Sequence, residues 1–199
     1  MNIPNLIKRI IWFDLDAYFL FTEPDRQFIS SISPPSNGEL VELDEVEEGV
    51  TKLLAFRPDQ IKGLLYKRYQ SGDRCFAFNN ESGVKGYFWV GFGCSPKLDE
   101  FASCLKKEAN PILLYDAYVD SSMRGRKIHP NLMAFSVKQV DPELRKNWFS
   151  FVGVKNLSAL KNSRKFFKRH KLVYHVTFDV IGFKFNFYPK FQREDWHET

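Results

Sequence analysis

Three cations, Arg124, Arg126 and Lys127, flank Gly125 in a loop that follows the apolar run from Ile112 to Val119 and leads straight into a helical pattern near Ile128. Strand, loop and helix in that order make an anion site. The first N–H groups of such a helix have no intrahelical acceptor and the positive end of its dipole lies behind them, while the three side chains add full charges at the same place. A di- or triphosphorylated ligand is the expected guest. Asp116, Tyr118 and His129 lie in the same stretch and could move protons. A base acting on an ammonium must stand within hydrogen-bond reach, directly or through one water. In a regular strand Asp116 and Tyr118 project from one face, and an imidazole at a helix N-terminus resists protonation and stays a neutral base. Each of the three is a candidate, and a polar pair packed on a neighbouring helix is the plain structural alternative for the first two.

The elements that must hold this loop can be read coarsely. Pro34-Pro35 and Asn37-Gly38 mark residues 30–39 as a loop. A helix is expected over 42–55, and a second from near Pro58, with Ile61, Leu64, Leu65 and Tyr69 at helical spacing and Gly72 as its stop. The aromatic runs 74–80 and 87–93 read as a hairpin around ESGVKG, and 95–110 as loop with a short helix. After the strand at 112–119 and a helix over 128–139 come a linker at Asp141-Pro142, a buried strand at 147–155 and a helix over 157–169. A last hairpin turns at Ile181-Gly182. The layout is mixed α/β, without repeats.

Length and composition suit one globular domain, since 199 residues with 44% hydrophobic content can build a core. Cys75, Cys94 and Cys104 show neither an even count nor a CxxC pair, so no disulfide framework or zinc site is indicated. No apolar stretch reaches bilayer length, and Asp14 and Asp16 interrupt the apolar run that follows Lys8-Arg9 before a signal-peptide core forms. A cytoplasmic protein with no membrane partner is expected. The net charge of +5 divides unevenly: residues 1–100 carry 11 Lys/Arg against 15 Asp/Glu, and residues 101–199 carry 18 against 9. An anionic ligand is therefore expected at the C-terminal half.

Other motifs carry less. Lys161, Arg164, Lys165 and Lys168 follow helical spacing opposite Leu157, Leu160 and Phe167, which reads as a solvated face or as contact with a phosphate or an acidic partner. FDLDAY at 13–18 has the paired carboxylates of a magnesium site, but no later motif of such enzymes follows. Cys75 or Cys104 with His170 or His175 has no nucleophile signature around it.

Several of these segments resemble the GNAT superfamily of acyl-CoA-dependent N-acyltransferases, across most of residues 44–187. GDRCFAF with VKGYFWV is similar to its second and third strands, YVDSSMRGRKIHPNLM to its acyl-CoA motif R/Q-x-x-G-x-G/A, and VKNLSALKNSRKFFKRHKL to the following strand end and helix. The resemblance departs at Lys127 and His129, where small residues are usual, at RHKL in place of K-x-G-F, and at Phe167, where many members carry a Tyr that protonates the leaving thiolate.

The resemblance implies a mixed, mostly antiparallel central sheet of about six to seven strands with a splayed central pair and about four flanking helices. Residues 1–40 would be an N-terminal extension packed on a domain at 41–199. Acetyl-CoA or another acyl-CoA would be the co-substrate, with no metal. Its pantetheine arm would meet Tyr118, Val119 and Asp120, its pyrophosphate would meet Arg124, Gly125, Arg126, Lys127, Ile128 and His129, and Asn156 would lie near the pantetheine. The acceptor would be a small-molecule primary amine, with a sugar amine as the first expectation, attacking the thioester directly while the Val119 N–H polarises its carbonyl. The protein would act as a monomer or homodimer and would not need nucleic acid. Two alternatives stay open: an inactive GNAT-shaped module whose basic face, interleaved with Phe166, Phe167 and Tyr174, holds nucleic acid or an acidic partner, and a transferase using a long-chain or carrier-bound acyl donor.

Overall fold

Leu20 and Phe21 are neighbours in sequence and both fully buried, yet they enter different cores. That is possible only in a strand covered on both faces, because successive side chains point to opposite sides. The strand is β1, Ile11–Pro24. It lies deep inside one sheet, antiparallel to β6 (Trp148–Gly153) on one side and to β7 (Phe167–Val180) on the other. Residues 1–40 were expected as an N-terminal extension packed on the domain; within them, residues 11–24 form an interior strand of the sheet.

The computed structural model describes residues 11–93, 95, 105, 110–141, 147–180, 183–187 and 197–198. After β1 come the short helix α1 (Arg26–Ser31), capped by Asp25, and strand β2 (Glu39–Glu42). Helices α2 (Val46–Phe56) and α3 (Lys62–Gln70) follow, then strands β3 (Arg74–Asn80), β4 (Gly83–Gly91) and β5 (Ile112–Val119). A single 3-10 turn at Ser121–Met123 leads to α4 (Ile128–Val140), and α5 (Leu157–Phe166) lies between β6 and β7. Strands β8 (Phe183–Phe187) and β9 (His197–Glu198) both pair with β7. The sheet order is β2-β3-β4-β5-β6-β1-β7-β8, with β9 beside β7. Among the described residues all pairings are antiparallel except β5 with β6. The mixed, mostly antiparallel architecture agrees with the expectation, with β1 and the two-residue β9 among its additional strands.

Helices cover both faces. Ile128, Leu132, Met133 and Val137 of α4 and Leu160 and Phe166 of α5 build one core with Phe76, Phe78 and Phe88. Val50 and Leu53 of α2 and Leu65 of α3 build the other with Tyr87 and Trp89. Two sequence expectations shift here. Helix α3 starts at Lys62, after a turn that contains Pro58, and helix α5 ends at Phe166 rather than at residue 169. At Phe167 the chain goes directly into β7, because Phe167 is fully buried against Phe21 of β1 and pairing along β1 outweighs one more helical turn. The expected linker at Asp141 begins with a buried carboxylate that accepts the Trp148 indole N–H at 2.9 Å. The expected short helix in 95–110 and the turn at 181–182 lie largely outside the described residues. Among the described residues no helix is long and apolar enough to cross a membrane.

Candidate active site

The parallel strands β5 and β6 pair only from Ile112↔Trp148 to Leu114↔Ser150, although β5 continues to Val119 and β6 to Gly153. Beyond that point they separate. The gap opens a cleft of about 870 Å³ that is also walled by the N-terminal turn of α4, by α5 and by residues 31–33 at the end of α1. The Asp120 N–H donates to the Lys85 carbonyl on β4 at 2.9 Å. Strand alternation therefore turns the Val119 N–H and carbonyl the other way, into the cleft, where Arg124 Nε donates to the Val119 oxygen at 3.3 Å.

Asp116 sits on an irregularity of the same strand. Trp89↔Tyr115 and Tyr87↔Tyr118 are both in register, so β5 fits an extra residue between them, and Asp116 takes φ +44°. Asp is among the few residues that tolerate a left-handed backbone, and such bulges re-aim a side chain. At the cleft wall the carboxylate meets Arg68 at 2.5 Å and the Tyr87 hydroxyl at 3.3 Å. Arg68 lies over the rings of Trp89 and Tyr115, 5.2 and 5.1 Å from their centroids. Tyr115 is fixed in turn by donating to the buried Asp73 at 2.6 Å, a carboxylate that Ser95 also holds at 2.8 Å. Burial pushes the Asp73 pKa above the usual carboxylate range, and these hydrogen bonds partly oppose it. Tyr118 stacks on Tyr87 at 6.3 Å, Phe56 packs against both rings, and Arg57 lies 4.1 Å over Tyr118. Burial raises the Tyr87 pKa, and the neighbouring Asp116 raises it further.

The phosphate end is built from backbone as well as charge. Asp120 caps the 3-10 turn by accepting the Ser122 N–H at 2.8 Å, and Met123 anchors that turn in the core. Gly125 and Lys127 both have positive φ, +79° and +59°, and Lys127 is the N-cap of α4 without a side-chain cap. A loop of this shape turns backbone N–H groups toward one point ahead of the helix.

No family model and no curated protein matches the chain in sequence. Solved structures match its shape. An acetyltransferase described as GNAT-family from Novosphingobium aromaticivorans superposes with TM-score 0.54 at 11% identity, over 85% of this chain and 67% of its own. A GNAT-family acetyltransferase from Colwellia psychrerythraea superposes with TM-score 0.52 at 11% identity, over 94% and 62%. The chain has the GNAT fold. A conserved protein of unknown function from Staphylococcus epidermidis gives TM-score 0.60 at 8% identity, over 84% of this chain and 63% of its own, and a Drosophila protein covers 90% and 58%. The chain thus spans about three fifths of the length of these two relatives.

On the GNAT fold the expected residues divide into groups. Tyr118, Val119, Arg124, Gly125, Lys127, Ile128, His129 and Asn156 all wall the cleft, whereas Asp120 and Arg126 are not among its walls. The Asp120 N–H and carboxylate are both already engaged. Asn156 Oδ1 caps α5 by accepting the Ala159 N–H at 3.1 Å. Asp116 and Tyr118 come together through Tyr87, while His129 packs against Phe88, on the other face of β4. Phe167 is core and does not wall the cleft. Lys168 lies on β7, so the basic face of α5 is shorter than its spacing implied, and Arg164 lies over the Phe19 ring. Burial pushes the Cys75 thiol well up, which removes it as a nucleophile.

Lys127 replaces the expected glycine but keeps the left-handed backbone that glycine adopts freely. A non-glycine residue there costs about 1 kcal/mol. Lys127→Gly should therefore be more stable to urea than Lys127→Ala by about 1 kcal/mol, since both lose the charge and only glycine loses the strain.

His129 is half-buried, and loss of water lowers its pKa from 6.5 to about 4. Asn162 lies 3.3 Å from its Nδ1. The folded state favours the neutral ring while the unfolded chain protonates near 6.5, so this contribution to stability is complete above pH 6.5 and is lost as pH falls toward 4. The urea midpoint of the wild type should drop across that window more steeply than that of His129→Gln.

Sequence reasoning missed Arg68, Tyr87, Tyr115 and Asp73. Their side-chain hydrogen bonds with one another and with Asp116 span 29 to 48 residues, and no local spacing reports them.

Proposed function

We propose that this protein transfers an acyl group, most simply acetyl, from an acyl-CoA to a primary amine of a small molecule. The observation that carries the reading is the separation of β5 and β6 past Leu114 and Ser150, which leaves the inner edge of β5 facing a cleft that ends at the α4 N-terminus. A pantetheine arm carries two amides, which need an exposed strand edge, and a pyrophosphate needs a loop of N–H groups with positive charge. The residues present fit both needs. Arg124 and Lys127 would face the phosphates, and Asn156 would border the arm.

The bound thioester supplies an activated acyl carbon. The amine arrives as an ammonium and first gives one proton to Asp116, directly or through water. Nitrogen then bonds to the acyl carbon as the Val119 N–H donates a hydrogen bond to the carbonyl oxygen and stabilises the charge developing there. With Phe167 in the core, Tyr118 at the cleft wall is the phenol for the last step: as the C–S bond breaks it gives its proton to the thiolate and takes the second nitrogen proton in return, directly or through water, and the products are an amide and a free thiol. An amino sugar is one acceptor of this class.

Thiol release from acetyl-CoA in the presence of a panel of primary amines tests the reading. Amine-dependent release supports it. Salt-sensitive retention on heparin that acetyl-CoA does not compete, with no release for any amine, would instead favour the binding-module alternative.

A further inference from the structure

The base proposed for the reaction is already occupied. Asp116 is held by Arg68 at 2.5 Å, and the Arg68 side chain is only 11% exposed against 34% for Asp116. A guanidinium keeps its proton, so whatever displaces it from Asp116 leaves a positive charge in a largely dry place. An amine that brings only its ammonium must compete with Arg68 for the carboxylate and then strands that guanidinium, an arrangement in which breaking a buried pair costs more than the new contact returns. A zwitterion does not have this problem. Its ammonium takes Asp116 and its carboxylate takes Arg68, so every charge remains matched.

We infer that the acceptor is an amine that also carries a carboxylate, inserted between Asp116 and Arg68. The inference rests on the acyl-transfer reading above and narrows its acceptor. Arg68 is suited to the part because it is placed beside the rings of Trp89 and Tyr115 at the site, and a guanidinium can meet a carboxylate by in-plane, two-point contact. Asp116 walls the cleft, so an acceptor bound to it stands beside the place where a thioester would lie. Arg57 adds a second cation to the same aromatic cluster. It lies over Tyr118, and its partner Asp59 is 64% exposed, a surface pair that a ligand carboxylate can exchange at little cost. An amino sugar without an acid group offers the ammonium alone.

Matched acceptors test this. Amino acids and their carboxamides, presented with saturating acetyl-CoA at a pH where both amines are mostly ammonium, differ in the charge that Arg68 would read. The wild type should prefer the acid over the amide by at least about tenfold in kcat/KM, the size expected for a charge-assisted hydrogen bond. Arg68→Gln should bring the two within about twofold by losing the acid's advantage, while acetyl-CoA affinity measured by titration stays that of the wild type and shows that the variant is folded. Equal turnover of acids and amides by the wild type, or a preference that survives in R68Q, overturns the inference and leaves acyl transfer standing. Absence of turnover with every amine, together with absence of acetyl-CoA binding, overturns both.

Discussion

Asp116→Asn is expected to lower kcat for acyl transfer by about 10²–10⁴-fold, the usual contribution of a positioned general base, with acetyl-CoA affinity unchanged. Asn keeps the volume, tolerates the φ of +44° and can still accept the Tyr87 hydroxyl, so the bulge survives. It cannot take a proton from an ammonium. Because the loss falls on a step made only after both substrates are bound, kcat and kcat/KM should drop together. Removing the charge leaves the largely buried Arg68 guanidinium unmatched, so urea stability should also fall, by about 1–3 kcal/mol, and retained acetyl-CoA binding shows that the variant is folded. A variant that keeps the wild-type kcat would remove Asp116 from the mechanism and leave proton removal to solvent.

The second large effect is on stability. Phe21→Ala should cost about 3–5 kcal/mol, as removal of a fully buried aromatic ring does. Phe21 has no exposure and meets Phe19, Phe167 and His170 with ring centroids 5.5 to 6.3 Å apart. Its strand pairs with β6 and β7 together, so a cavity there lies at the middle of the sheet. Urea unfolding measures it. A loss below about 1 kcal/mol, the range of an ordinary surface or edge change, would contradict the interior placement of β1.

That placement shows why the sequence was readable in some places and not in others. The strand–loop–helix at 112–140 was legible because one segment holds an apolar run, a Gly in a polar loop and a helical pattern in order, and the hairpin of β3 and β4 was legible for the same local reason. Strand β1 was not. IWFDLDAYFLF lacks the alternation that marks a one-sided strand, its buried Leu20 and Phe21 enter cores on opposite faces, and its partners lie more than a hundred residues later. The end of α5 failed differently. SRKFFKRHKL carries no glycine or proline to stop a helix, and the boundary at Phe166 is set by burial of Phe167 against β1. In the site, the cations of the loop were visible in sequence, but the bulge at Asp116 was not, because it depends on the register of β4 against β5. Arg68 followed from that bulge. Sequence placed Asp116 beside Tyr118 on one face of a regular strand, and the structure brings them together through Tyr87.

The central claim is that the cleft between β5 and β6 receives an acyl-CoA. Calorimetric titration with acetyl-CoA addresses it without any assumption about the acceptor. Saturable binding at one molecule per chain is the predicted result, with affinity weakened when Arg124 and Lys127 are both replaced by Ala. No heat of binding up to millimolar ligand, from a protein that unfolds cooperatively in urea, would contradict the account.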